Sequence, residues 1–102
     1  MDAATVATTK AALVGVAWQG TVTDTETGDA ASYSWYCDNV LLDGFSERLR
    51  VVLNNGAGAY REFGFDADAL STAQTVIGEV LAADALAQLQ AQRWQDMVGE
   101  VL

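Results

Sequence analysis

The chain has 102 residues, 51% of them hydrophobic, and its 14 acidic and five basic side chains give a formal net charge of −9. The hydrophobic share suffices for a packed core and excludes a disordered chain, so we expect one domain over residues 1–102. The negative charge repels nucleic-acid phosphates and anionic lipid surfaces, and we therefore expect no nucleic-acid or membrane partner.

The first predicted element is a short helix. Residues 2–12 are rich in alanine and threonine, and this composition favours a short N-terminal helix over a loosely held arm. The apolar run after Lys10 is short and has no basic segment before it, so it does not resemble a cleaved signal peptide. No run has the length of a membrane span, and we expect a cytoplasmic protein.

A hairpin of two strands follows. Apolar side chains recur at every second residue on both sides of the segment TETGD, which is the period of a half-buried strand. A four-residue loop ending at Gly28 sets Trp18 opposite Trp35 and Gly20 opposite Tyr33, with all apolar side chains on one face. A three-residue loop mixes the two faces. We therefore predict the four-residue loop, with Gly28 in the left-handed conformation and an aromatic ring over Gly20.

The segment from residue 38 to residue 46 has no clear period. Its Asp-Gly dipeptide at 43–44 is typical of a turn, and the apolar residues 40–42 suggest a short buried connection. The sequence does not decide the structure of this segment further.

Two more strands are predicted on either side of the sequence NNGAG. Its asparagines and glycines accept positive φ and indicate a tight turn. The register that keeps the apolar side chains on one face sets an outward Arg48 or Arg50 opposite Glu62. The side chains expected to face inward are Leu49, Val51, Leu53, Phe63 and Phe65.

The C-terminal part begins with a helix start signal. Asp66 stands where a side-chain oxygen can cap the first free N–H groups, and Asp68 adds negative charge to the first turn. Phe65 and Leu70 occupy the two positions of a hydrophobic staple. The sequence therefore predicts a helix that begins directly after Asp66.

Two apolar stripes of different orientation predict two C-terminal helices, about 67–82 and 85–101, with a bend near Ala83 and Asp84 as the cap of the second helix. One bent helix is the alternative. In the first helix, Gly78 with Gln74 and Ala82 makes a small-residue groove where another backbone could approach. The second stripe comprises Leu86, Leu89, Trp94, Met97, Val98 and Val101. The elements together predict an α+β fold, a four-stranded antiparallel meander sheet with one face covered by C-terminal helices.

Few residues are available for chemistry. The chain has no histidine, which removes the usual general base and the commonest transition-metal ligand. The single cysteine, Cys37, falls on the apolar face, where a buried thiol is unreactive. The acidic segment DTETGD lacks the remainder of an EF-hand loop. We therefore predict no catalytic residue, no metal and no cofactor, and enzymatic activity is the least favoured class.

Two exposed surfaces are candidates for binding. The outward face of the sheet carries tyrosine and arginine, which are enriched at interfaces and suit an acidic or aromatic partner. The last helix has more apolar side chains than a frayed terminus needs. The plainer interpretations are a solvated sheet face and a helix that completes the core. The candidate interaction residues are Tyr36, Arg48, Arg50, Tyr60, Trp94 and Met97.

A third candidate is an apolar pocket between sheet and helices, lined by Trp18, Tyr33, Trp35 and Phe63, although filling of the core by these rings is the plainer interpretation. The favoured function is a non-enzymatic interaction module that forms a homodimer. The first alternative is a small-molecule-binding domain that uses the apolar pocket. The second is an acidic decoy that occupies the nucleic-acid-binding site of a basic protein.

Overall fold

Over residues 2–101, a computed structural model shows a four-stranded antiparallel sheet and two α-helices, with side chains described through Gly99. The elements are α1 (Ala3–Leu13), β1 (Ala17–Thr23), β2 (Ala30–Asp43), β3 (Arg48–Asn54), β4 (Tyr60–Phe65), a 3-10 helix (Ala67–Thr72) and α2 (Ala73–Val101). The strands are hydrogen-bonded in the order β1-β2-β3-β4. The predicted α+β meander and the short N-terminal helix are therefore confirmed.

The start of α1 is capped by Asp2. Its Oδ1 accepts hydrogen bonds from the backbone N–H of Thr5 at 2.8 Å and from the Thr5 hydroxyl at 2.7 Å. These bonds lower the pKa of the Asp2 carboxyl, because they favour its charged form. Farther along the helix, Val6 and Leu13 pack against the core, so α1 helps to cover the sheet.

The first hairpin has the predicted register. Trp18 lies opposite Trp35 and Gly20 opposite Tyr33, because the loop between the strands has four residues. The N–H of Asp24 donates to the carbonyl of Asp29 at 2.8 Å and closes the loop. Gly28 adopts a φ of 79°, in the left-handed region that glycine accepts without steric cost.

The short buried connection predicted for residues 40–42 is wrong. β2 continues through this segment to Asp43, and only Val40 of the three apolar residues is buried. A bulge at Asp38 shifts the register between Cys37 and Asn39. The extra residue moves the inward side chains from odd to even positions, so the sequence loses its period although the strand continues.

The register of β3 and β4 places the apolar side chains, Phe63 among them, on the inward face, as predicted. The ion pair forms by a different geometry, however, because Glu62 lies opposite Val52 and Arg50 lies opposite Gly64. Arg50 reaches Glu62 diagonally across the outward face, within the range of a long side chain.

The C-terminal segment is one continuous helix, and the two helices predicted at about 67–82 and 85–101 are wrong. α2 continues through Ala83 without a break, since the surrounding residues are good helix formers with neither glycine nor proline among residues 79–98. Asp84, expected to cap a second helix, instead pairs with Arg61 of β4. No helix within residues 2–101 is both long and apolar enough to cross a membrane.

The predicted side-chain cap at Asp66 is also wrong. The Asp66 carboxylate makes no hydrogen bond to the helix start and instead accepts one from Nε of Arg48 at 3.1 Å. The first turn is a 3-10 helix, closed by a bond of 3.0 Å from the N–H of Ala69 to the carbonyl of Asp66. The helical segment begins directly after Asp66, as predicted. The Asp66 carboxylate binds Arg48, however, and does not cap the helix.

The core lies between the inward face of the sheet and the first half of α2. Here the indole of Trp18 packs on Gly78, where an added Cβ would lie 3.3 Å from the ring. The small-residue groove predicted at Gly78 is thus filled by a side chain of the same protein. The fully buried large side chains are Leu49, Leu53, Ile77, Leu81, Val51 and Cys37.

Candidate functional site

The outward face of the sheet presents a row of polar and aromatic side chains. Tyr36 lies opposite Asn54, which lies opposite Tyr60, so the three residues cross β2, β3 and β4 in a line. Both tyrosines are exposed. The alternation of the strands therefore brings the two predicted tyrosines to one patch.

The two arginines predicted on this face are held by ion pairs. Nη2 of Arg50 lies 2.6 Å from Oε2 of Glu62, and this hydrogen bond raises the pKa of the guanidinium. Arg48 donates from Nε to Asp66 and from Nη2 to the carbonyl of Gly64, at 3.1 and 2.9 Å. Because their charges are compensated within the chain, the arginines give this face little attraction for an acidic partner.

Of the four rings predicted to line an apolar pocket, two lie elsewhere. Trp18 is buried in the core. The ring of Phe63 is covered by Arg61, whose Cζ lies 5.1 Å from the centroid of that ring. Tyr33 and Trp35 do border an open space between β2 and α2. The structure thus offers a groove beside the core in place of a cavity within it.

The groove between β2 and α2 has a volume of about 880 Å³. It exists because β2 has 14 residues and β3 has seven, so the first half of β2 extends past the end of β3. α2 continues over this half and forms one wall. An ion pair between Arg61 and Asp84 joins β4 to α2 at the border. Other lining side chains are Tyr33, Trp35, Asn55, Leu81, Gln88 and Leu89.

Sequence reasoning missed Arg61 and Asp84 as residues of this groove. The sequence does contain a signal for Arg61. Side chains alternate along a strand, so Arg61 points to the same inward face as Phe63 and Phe65 of β4. Asp84 was assigned to a helix cap because α2 was expected to break there. With one continuous helix, the position of Asp84 above β4 follows directly.

The outward face of α2 carries a second candidate site, which we call the α2 seam. Its residues recur at alternating steps of four and three, the spacing of helix positions that pack against another helix. Ala73, Ile77, Leu81 and Ala85 of α2 are buried on another face, whereas Trp94 and Met97 of the seam are 65% and 52% exposed. The α2 seam comprises Val76, Val80, Ala83, Ala87, Gln90, Trp94 and Met97, and Val101 continues the spacing in the sequence.

The second half of α2 is fixed to the first hairpin by Arg93. Its Nη1 lies 2.8 Å from Oδ2 of Asp24 and 3.2 Å from Oε2 of Glu26. The Asp24 carboxylate is buried, and its Oδ1 also accepts the N–H of Glu26 at 3.0 Å. This contact ties the C-terminal half of α2 to the β1–β2 loop, so the helix holds its position above the groove.

The remaining reactive group is the Cys37 thiol, which is buried. Burial raises its pKa, because the apolar surroundings disfavour the thiolate. Among the described residues there is no group of three or more acidic or cysteine side chains placed to hold a metal ion. Comparisons with protein-family models, curated proteins and solved structures found no match to this chain.

Proposed function

We propose that this protein is a non-enzymatic interaction module that forms a homodimer through the α2 seam. The observation that carries the proposal is the four–three spacing of apolar side chains, interrupted only by Gln90, along a helix whose first half already buries another face on the sheet. A solvated helix face has no need of Trp94 and Met97. A second copy of the same face covers both.

The length of α2 supports an interface of sufficient size. A helix of 29 residues is about 44 Å long, and the seam runs along most of it. Stable interfaces bury roughly 800 Å² per partner, and a contact along most of this length is the way in which the seam would supply such an area. Ala83 and Ala87 lie near the middle of the seam, where small side chains let two helix backbones come close.

The charges beside the seam favour an antiparallel pair. With the two-fold axis between Ala83 and Ala87, Val76 faces Trp94 of the second copy, and Glu79 comes near Arg93 of that copy. A parallel pair would instead set Glu79 beside Asp84 and stack the two Trp94 rings at one level. Arg93 and Asp84 are already paired within the chain, so this preference for the antiparallel dimer is small.

The experiment is sedimentation or light scattering at low and high micromolar concentration. We expect the natural chain to be a dimer and the Trp94→Glu, Met97→Glu double variant to be a monomer with an unchanged circular-dichroism spectrum. Phe45→Glu is the matched control, because Phe45 is fully exposed in the β2–β3 turn, at the opposite end of β2 from the loop that Arg93 of α2 contacts. A natural chain that stays monomeric at high concentration, or a dimer that survives the double substitution, contradicts the proposal.

Cross-linking tests the orientation of the two helices. In a Cys37→Ala background, mixing chains that carry Ala83→Cys with chains that carry Ala87→Cys should give a mixed disulfide if the pair is antiparallel. Disulfides between identical chains of the Ala83→Cys variant would instead indicate a parallel pair.

The two alternatives receive less support. Five of the acidic side chains are paired with the four arginines and are not free to contact a basic protein, although the formal net charge stays at −9. The small-molecule alternative relies on a space that is an open groove, and such a shape suits an extended ligand. A cytoplasmic location remains part of the proposal, supported by the free thiol of Cys37.

A further inference from the structure

We infer that the groove between β2 and α2 binds an extended peptide, which pairs with the free edge of β2 as an additional strand. The peptide would carry net positive charge and an apolar side chain at every second position. This site goes beyond the proposed homodimer and does not depend on it.

The direction of the backbone groups along β2 follows from two hydrogen bonds. The N–H of Cys37 donates to the carbonyl of Val16 at 2.9 Å, and the carbonyl of Asp29 accepts the N–H of Asp24 at 2.8 Å. Peptide groups alternate in direction along a strand, so odd-numbered residues from 29 to 37 face β1. The N–H and C=O groups of Ser32 and Ser34 therefore point away from β1, toward the groove.

These groups have no strand beside them. The ladder between β2 and β3 ends where Tyr36 lies opposite Asn54, and within residues 2–101 no strand pairs with Ser32 or Ser34 on the groove side. Continuing the line of β3 would place the next two rungs of the ladder at these serines. A row of exposed backbone donors and acceptors is a template for another strand.

The walls of the groove fit a strand in that position. Five consecutive residues of β2, 31–35, line it, as expected where the edge of a strand forms the wall. These residues span about 13 Å, enough to pair with a peptide of about five residues. Asn55 and Ala59 close one end, and the volume of about 880 Å³ lies in the range of ligand sites.

The side chains around the groove define what the peptide carries. On the side of α2, Tyr33, Trp35, Leu81 and Leu89 offer apolar contacts to every second peptide side chain. The intervening peptide side chains would point to the outward face, beside the exposed hydroxyls of Ser32 and Ser34. An alternating apolar and polar peptide satisfies both faces at once.

The net charge of the protein determines whether a basic or an acidic peptide is attracted to the groove. At a formal net charge of −9, the protein attracts a basic peptide and repels an acidic one. Arg61, the cationic side chain at the groove, is already paired with Asp84, so it does not offset this preference. Association should therefore weaken as salt is added.

The probe is a displayed library of random peptides of about nine residues, selected on the full chain, with the best binder then synthesised. We expect enriched sequences to alternate apolar and basic residues. N-methylation at the peptide positions that pair with Ser32 and Ser34 should weaken binding at least tenfold, and N-methylation at the intervening positions should leave it unchanged. Enrichment of unpatterned or acidic sequences, or no enrichment, overturns the proposal.

A substitution in the protein tests the same edge. Ser34→Pro removes one donor from the groove side and no bond to β1, and proline is tolerated on an edge strand. We expect at least tenfold weaker peptide binding. Thr21→Pro is the matched control, because the N–H of Thr21 points to the other edge of the sheet, away from β2. Equal binding by both variants contradicts strand addition.

Amide hydrogen exchange locates the peptide independently of affinity. Binding should slow exchange at the N–H of Ser32 and Ser34 and leave Thr21 unaffected.

An apolar dye that displaces the peptide and binds Ser34→Pro as well as the natural chain would assign the groove to small molecules instead. Loss of dimer formation in Ser34→Pro would assign the edge to a second copy. The Trp94→Glu, Met97→Glu monomer should still bind the peptide, which separates this proposal from the homodimer.

Discussion

The indole N–H of Trp18 donates a hydrogen bond of 2.9 Å to the main-chain carbonyl of Gln74, which joins β1 to the first turn of α2. The ring can reach that carbonyl because Gly78, one turn later, has no side chain in its path. A buried indole N–H without a partner would be unfavourable, so this bond fixes the position of the helix on the sheet.

Gly78→Ala should therefore lack the stabilisation that such a change usually brings. Alanine in a helix interior is favoured over glycine by about 1 kcal/mol. Here the new Cβ would lie 3.3 Å from Cδ1 of Trp18, and the ring is held by its hydrogen bond. We expect no gain or a small loss in the free energy of unfolding, measured with urea.

Gly99→Ala serves as the control for this prediction. Nothing lies within 4 Å of a Cβ added at Gly99, so the helix gains without a clash, by a few tenths of a kcal/mol near the helix end. A full gain of about 1 kcal/mol at Gly78 would show that the indole moves freely and is not fixed.

Gly20→Ala should destabilise the first hairpin through Tyr33. The added Cβ would lie 2.6 Å from the Tyr33 hydroxyl oxygen, so the ring must move off the strand. We expect a loss of about 1 kcal/mol in the free energy of unfolding. In a Tyr33→Leu background the same change should be nearly neutral, and a double-mutant cycle measures the coupling. Equal effects in both backgrounds would mean that the ring does not restrain Gly20.

The register of the hairpins could be predicted because alternation has a period of two and a slip moves every side chain to the wrong face. Trp18 and Trp35 left one solution for the first hairpin. The bulge at Asp38 could not be predicted in this way. One extra residue interrupts the period of two, and in the sequence such an interruption cannot be distinguished from the end of a strand. β2 was therefore predicted too short, and the groove that depends on its length went unseen.

The C-terminal helix shows a different limit. The change of stripe orientation near Ala83 predicted a bend, because the second apolar stripe is rotated away from the first and the two do not share one face of a helix. In the structure Ile77 and Leu81 of the first stripe are buried on the sheet and Trp94 and Met97 of the second stripe are exposed, and one continuous helix carries both. Sequence periodicity gives the angle between two faces but does not say which partner each face meets.

Cys37 should be unreactive toward thiol reagents in the folded protein. Burial raises the pKa of this thiol, so the folded state favours the protonated form. The resulting stability is fully present below the ordinary thiol pKa of about 8.5 and is lost as pH rises through the raised value. We expect labelling by a disulfide reagent at pH 8 to follow global unfolding with urea.

A cysteine placed at an exposed position of the same strand is the control for that experiment. Ser34→Cys in a Cys37→Ala background should be labelled at the rate of a free thiol without denaturant. If Cys37 in the natural chain reacts as fast, the strand opens locally near the bulge, and the thiol is not protected by the core.

Asp24→Asn and Glu26→Gln should differ in effect although both carboxylates bind Nη1 of Arg93. The Asp24 side chain is 3% exposed and the Glu26 side chain 79%, so water screens the second contact and not the first. Asn at position 24 keeps an acceptor for the N–H of Glu26 but removes the charge that faces the guanidinium. We expect Asp24→Asn to lower the free energy of unfolding by about 2 kcal/mol and Glu26→Gln by less than about 0.5 kcal/mol. Urea unfolding gives both values.

Asp24→Asn should also speed amide exchange in the β1–β2 loop, because Arg93 then holds the second half of α2 less firmly. Equal losses for the two variants would mean that the contact is solvated, and the wall of the groove would then be mobile.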